Sequence, residues 1–116
     1  MSYAYQGRYN SGWITPLPPI TTTVVENHNI GDTDIVTVFK VKCLTADFAH
    51  SVGEVVYDLN TNSGVVSPIP KIVTNKTVNI TTGNGYAIGL INKSTGGNTS
   101  ITTASWAYAL TAQRNW

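Results

Sequence analysis

The sequence predicts an all-β chain, an antiparallel β-sandwich or barrel-like single domain with an extended N-terminal arm. Three observations predict it. No stretch repeats apolar residues with a helical period over three turns. Thr, Val, Ile and Tyr dominate, the types that suit a pleated, half-buried surface. Gly, Asn, Ser and Pro interrupt them at short intervals, leaving six to eight short strands in 116 residues, the spacing of a sandwich or barrel. A chain of this length is of single-domain size and able to bury a core.

The first element is unlike the rest. Tyr3, Tyr5, Tyr9 and Trp13 crowd the first thirteen residues, followed by the stiff Pro16-Leu17-Pro18-Pro19. Aromatics separated by Ser, Gln, Gly and Asn suit an arm laid on another surface, since Tyr and Trp supply contact area with few rotatable bonds. Prolines hold such a segment extended. The expected division is an arm over 1–19 and a β-sandwich over 20–116. Tyr3, Tyr5, Tyr9 and Trp13 are the candidate assembly residues. Packing of the arm back on its own domain is the competing reading.

From Ile35 to Leu44 the odd positions Ile35, Phe39, Val41 and Cys43 are set to face a core, and Lys40 and Lys42 to face solvent, as in a half-buried strand. Val55 to Leu59 is expected to run back. NTNSG is a turn before a short strand at Val65–Val66. Pro68 and Pro70 mark an edge or a crossing, because proline gives no ladder donor. Thr77–Thr82 and Tyr86–Ile91 flank Gly83-Asn84-Gly85, a hairpin signal. After the turn NKSTGGNTS, the last strand is expected from about Ile101 to Ala112. It would carry Ala104, Trp106, Tyr108 and Leu110 on one face and Ser105, Ala107, Ala109 and Thr111 on the other.

Charged residues make up 11% of the chain, against about 25% in ordinary soluble domains. Either the surface is hydroxyl-rich, or much of it faces other subunits. Low charge favours association. The net charge of +1 comes from scattered cations, so the positive stripe that nucleic acid requires is not expected. No stretch approaches the apolar length of a membrane span, so no membrane insertion is expected. The start MSYAYQGRYNSGW lacks a charged region followed by an apolar one, so no signal peptide is expected. A single cysteine allows no internal disulfide or thiol cluster.

Chemistry has one suggestive stretch, CLTADFAHSVGEVV over 43–56, which gathers Cys43, Asp47, His50 and Glu54. A cysteine hydrolase needs the thiol against the imidazole and an oxyanion hole. Cys43 ends a strand on its inward face, and no glycine-framed elbow follows, so the stretch reads as a connector in which Asp47 and Ser51 bond turn amides. The carboxylates Glu26, Asp32, Asp34, Asp47, Glu54 and Asp58 include no marked pair for glycoside hydrolysis. His28, Asp32 and Asp34 have a metal-like spacing, but Asp after Ile30-Gly31 is at home in a turn. No catalytic residue, metal or cofactor is expected, and the chain does not read as an enzyme.

The run CLTADFAHSVGEVV resembles a recurrent pattern in small β-modules of bacteriophage tails, and GWITPLPPI and the terminal SWAYALTAQRNW look like parts of the same modules. The resemblance implies a structural virion protein of a tailed phage. It would be made in the host cytoplasm and assembled in a tail fibre, tail tip or other appendage as a symmetric homo-oligomer, a trimer first. Its partners would be itself, other virion proteins and a host cell-surface glycan. The resemblance supplies no catalytic residue. A free-standing lectin-like carbohydrate-binding module is the alternative.

Overall fold

The computed structural model describes residues 7–47, 49–57, 59–62, 66–83, 86–91, 93–95, 98–100 and 102–114. The strands are β1 (Arg8–Asn10), β2 (Thr23–Asn27), β3 (Ile35–Cys43), β4 (Val55–Val56), β5 (Asn60–Asn62), β6 (Val66–Pro68), β7 (Lys71–Val73), β8 (Thr77–Thr81), β9 (Tyr86–Ile91), β10 (Asn98–Ser100) and β11 (Trp106–Arg114). A 3-10 turn at Thr103–Ser105 leads into β11. Every strand pairing among the described residues is antiparallel. The order is β1-β11-β3-β4 in one sheet, β2-β8-β7 in a second and β10-β9-β5-β6 in a third. The fold is all-β and sandwich-like, as the sequence predicts.

Alternation builds the core. β3 and β11 pair along nine residues, with Phe39 opposite Leu110, Val41 opposite Tyr108 and Cys43 opposite Trp106. These six are buried, and Val78 and Ile80 of β8 and Ile88 of β9 meet them from the other sheets, with Leu17, Leu59 and Ile69 from the connections. Burying each large aliphatic side chain contributes about 1.5–3 kcal/mol. Phe39 and Tyr108 stack tilted with ring centroids 5.8 Å apart. Pro68 lies in β6, an edge strand, where its missing N–H costs no ladder bond.

The described residues form eleven strands where six to eight are expected, with Asn60–Asn62 and Asn98–Ser100 as strands inside the expected turns, and three further elements differ. The first is the arm. Tyr3 and Tyr5 lie outside the described residues, but Gly7 to Pro19 is docked on its own domain. β1 pairs with β11, Tyr9 opposite Ala112, and Ile14 bridges Tyr108. Leu17 is 2% exposed and belongs to the core, so a boundary at residue 19 separates no unit here. The reason is the edge of β11. Its amides need partners, and Tyr9 and Ile14 supply inward-facing bulk beside them.

The second is the hairpin around Gly83. β8 and β9 sit in different sheets. Thr82 and Gly83 bond back to the segment before β2: Thr82 N donates to Thr22 O at 2.9 Å, Thr21 N to Gly83 O at 3.0 Å, and Thr82 Oγ1 to Pro19 O at 2.6 Å. Asn84 and Gly85 lie outside the described residues, but β8 and β9 do not pair with each other, so the expected hairpin is not formed. The third is β11, which begins at Trp106 and is buried on both faces, Ala107 and Ala109 being 1% and 2% exposed.

Candidate functional site

The corner after β3 brings its titratable groups together and uses them internally. The Cys43 thiol is fully buried and donates to Thr45 O at 3.1 Å, with His50 O at 3.8 Å. Both acceptors are main-chain carbonyls. Burial, the largest influence, pushes the thiol pKa up, away from the thiolate a nucleophile needs. His50 Nδ1 meets Glu54 Oε2 at 3.0 Å, and its ring stands edge-on to Trp106 at 5.6 Å. Lys93 pairs with the other Glu54 oxygen. The Lys93 ammonium, then the His50 ring, hold the Glu54 carboxyl below its usual range.

Asp47 is the keystone of this corner. Its Oδ2 accepts from Thr102 N and from the Trp106 indole N–H, each at 2.9 Å. Its backbone exchanges bonds with His50, N to O at 3.3 Å and O to N at 2.8 Å. The stretch stands as a corner between strands, but the expected turn bonds differ: the Asp47 carboxylate reaches Thr102 and Trp106 more than fifty residues away, and Ser51 contributes its carbonyl to Glu54 N.

The other spacing candidates also resolve locally. Asp32 Oδ1 accepts from Asp34 N at 2.9 Å, an Asx turn. His28 is buried. Its Nδ1 accepts from Ile30 N and its Nε2 lies on Thr74 O, both at 2.9 Å. The carbonyl can only accept, so Nε2 carries the proton. No group of three or more His, Cys, Asp or Glu is placed to hold a metal among the described residues.

Tyr9 and Trp13, the described assembly candidates, have opposite fates. Tyr9 faces inward, and its hydroxyl donates to Glu26 Oε1 at 2.6 Å. Trp13 faces outward and is 42% exposed. The cause is a local irregularity. Asn10 pairs with Thr111 and Ile14 with Tyr108, so four residues of the first strand run span three of β11, a bulge. Gly12 supplies the positive φ of 72°, Ser11 Oγ accepts from Leu110 N at 2.9 Å, and Trp13 is turned to the outer face.

There Trp13 meets two cations. Lys40 Nζ and Lys42 Nζ lie 5.4 and 5.5 Å from its ring centre, within cation–π range. Lys40 is opposite Ala109 and Lys42 opposite Ala107. The register therefore places the indole and the two lysine stems over these alanines, which accounts for the burial of the second face of β11. Farther along the same face, Arg8, Asn10, Val36, Val38, Thr111 and Gln113 line a groove of about 460 Å³. From Gln113 to Ala107 the strip runs roughly 20 Å at the strand rise of about 3.4 Å per residue. Sequence reasoning named Trp13 but missed Lys40 and Lys42 as its neighbours. The signal was the pairing of Lys-Val-Lys with Ala-Tyr-Ala, large charged stems facing small residues.

A second outer face is neutral. On the β2-β8-β7 sheet, Val25 and Ile72 both lie opposite Asn79, and they are 49% and 61% exposed. Asn79 Oδ1 between them is buried, so the row presents mostly aliphatic surface. Thr23 and Thr81 join hydroxyls at 2.9 Å in the neighbouring row. Sequence reasoning missed this row too. The odd position in Thr23–Asn27 carries Val25 while its inward neighbours are Val24 and Glu26, which obscures the alternation.

No family model matches the chain, and neither a curated protein nor a solved structure matches it.

Proposed function

We propose that the chain is a structural, non-catalytic subunit of a tailed-bacteriophage appendage, acting as a homo-oligomer, with a trimer as the expected order. Its attachment role is toward other virion proteins and a host cell-surface glycan. The observation that carries this reading is the neutral outer row Val25–Asn79–Ile72 on the three-stranded sheet. Val25 and Ile72 are exposed on a face whose paired outward positions carry no charge, a surface able to pack against other copies of the chain without burying an unpaired ion. The internal use of Asp47, His50, Glu54 and Cys43 described above supports a non-catalytic role, because these groups are engaged in holding one corner together.

The experiment is antibody labelling of phage particles made from the same genome. An antibody raised against the purified chain is expected to decorate the tail or its appendages. Particles that carry no label, with the chain found free in the lysate, would favour the free-standing carbohydrate-binding module instead.

A further inference from the structure

We propose that the outer face of the β1-β11-β3-β4 sheet binds an acidic polysaccharide, with a sugar ring lying on the Trp13 indole and its carboxylate held by Lys40 and Lys42. The proposal rests on the attachment reading above and gives it a site and a ligand class.

Among the described residues of the paired rows, the charge on this face is of one sign. Arg8 points outward from β1 and Lys40 and Lys42 from β3, and the register rows contribute no acid. Glu26 is engaged by Tyr9, Asp47 by Thr102 and Trp106, and Glu54 by His50 and Lys93. Among the described residues, no ion pair involves Arg8, Lys40 or Lys42. The only partner of the two lysines there is the Trp13 ring. Two ammonium groups gathered on one indole repel each other, and an anion placed between them relieves that repulsion. Each ammonium has three donors, enough to share one carboxylate.

The rest of the strip fits a sugar chain. An exposed indole offers an apolar platform for the C–H face of a ring. Asn10, Thr111 and Gln113 offer hydroxyl and amide partners over Val36 and Val38 in a shallow groove. A second copy of this chain fits badly here, because a two-fold contact would bring the cations of both copies together. Single-stranded nucleic acid also uses aromatic platforms, but it needs a denser track of positive charge than three cations over roughly 20 Å.

The test is calorimetric titration of the purified chain with hexameric oligogalacturonate, with neutral dextran oligosaccharide and oligothymidylate as comparators. Oligogalacturonate is expected to bind, weakening as salt rises, with dextran at least tenfold weaker. Trp13→Ala and the double variant Lys40→Met/Lys42→Met, which keeps the aliphatic cover of the alanines, are each expected to weaken binding at least tenfold while circular dichroism stays native. Absence of oligogalacturonate binding, binding indifferent to Trp13→Ala, or tighter binding of oligothymidylate would overturn the proposal. Sedimentation of the same samples separates the two readings. An oligomer that ignores the acidic sugar removes this site and leaves the assembly reading, whereas a monomer that binds it does the reverse.

Discussion

The Tyr9 hydroxyl donates a 2.6 Å hydrogen bond to the Glu26 carboxylate, tying β1 to β2 and so joining two sheets through a residue of the supposed arm. Burial first, and then the hydrogen bond and charge of Glu26, push the Tyr9 pKa up to about 12. An unfolded tyrosine ionises near pH 10. Between those values the folded chain keeps a proton that the unfolded chain has lost, so stability falls as pH rises through the window and is fully present below it. Tyr108, also pushed up by burial and then by Glu26, adds to the same slope. Tyr9→Phe is expected to cost about 1 kcal/mol at neutral pH and to flatten the loss of melting temperature in alkali. A variant whose alkaline profile matches the wild type would dissociate this bond from stability.

Leu17 extends the argument from one bond to the core. It is 2% exposed among residues from all three sheets. Leu17→Ala is expected to cost about 2–5 kcal/mol, and deletion of 1–19 to unfold the domain or leave it without a cooperative melt. Urea unfolding followed by circular dichroism measures both. A truncated chain that melts like the full one would restore the free arm.

How far the fold could be read from residues depended on where the chain's partners lie. Ile35–Cys43 was legible because Phe39, Val41 and Cys43 alternate with Lys40 and Lys42, although Thr37 on the inner parity and Val36 and Val38 on the outer one interrupt the pattern. The corner at 43–56 was legible because a buried strand-end cysteine, turn formers and Gly53 all point to a connector. The docking of Tyr9 and Leu17 was hidden, since it depends on an open edge of β11 about a hundred residues away. The separation of β8 from β9 was hidden for a similar reason. Gly83-Asn84-Gly85 permits a tight reversal, but the bonds of Thr82 and Gly83 to Thr21 and Thr22 decide otherwise. Trp13 was legible as a surface aromatic, while its two lysines required the β3–β11 register.

Asp47 holds the corner, so its removal should be felt at Trp106. Asp47→Ala leaves the indole N–H of a fully buried tryptophan without its acceptor, at a cost of about 1–3 kcal/mol. Asp47→Asn keeps an acceptor and is expected to lose less. Urea midpoints and the near-ultraviolet dichroism of Trp106 report the difference. Equal stability of the alanine variant and the wild type would contradict the role given to Asp47.

Cys43 should behave as an inert core residue. Its burial and raised pKa predict slow alkylation by iodoacetamide near neutral pH, becoming fast on unfolding. Cys43→Ser is expected to fold, with a loss of about 1–3 kcal/mol from an imperfectly satisfied hydroxyl. Rapid stoichiometric labelling of the native chain would instead indicate an activated thiol.

Self-assembly through the neutral row is the claim on which the proposed function stands, and sedimentation velocity at micromolar concentration tests it most directly. The wild-type chain, 12.5 kDa per subunit, is expected to sediment as a homo-oligomer with the mass of a trimer. Val25→Lys/Ile72→Lys, which places like charges on the outer face without touching the core, is expected to sediment as a folded monomer with unchanged circular dichroism. A wild-type chain that is itself a folded monomer, or a double variant that assembles as the wild type does, would contradict it.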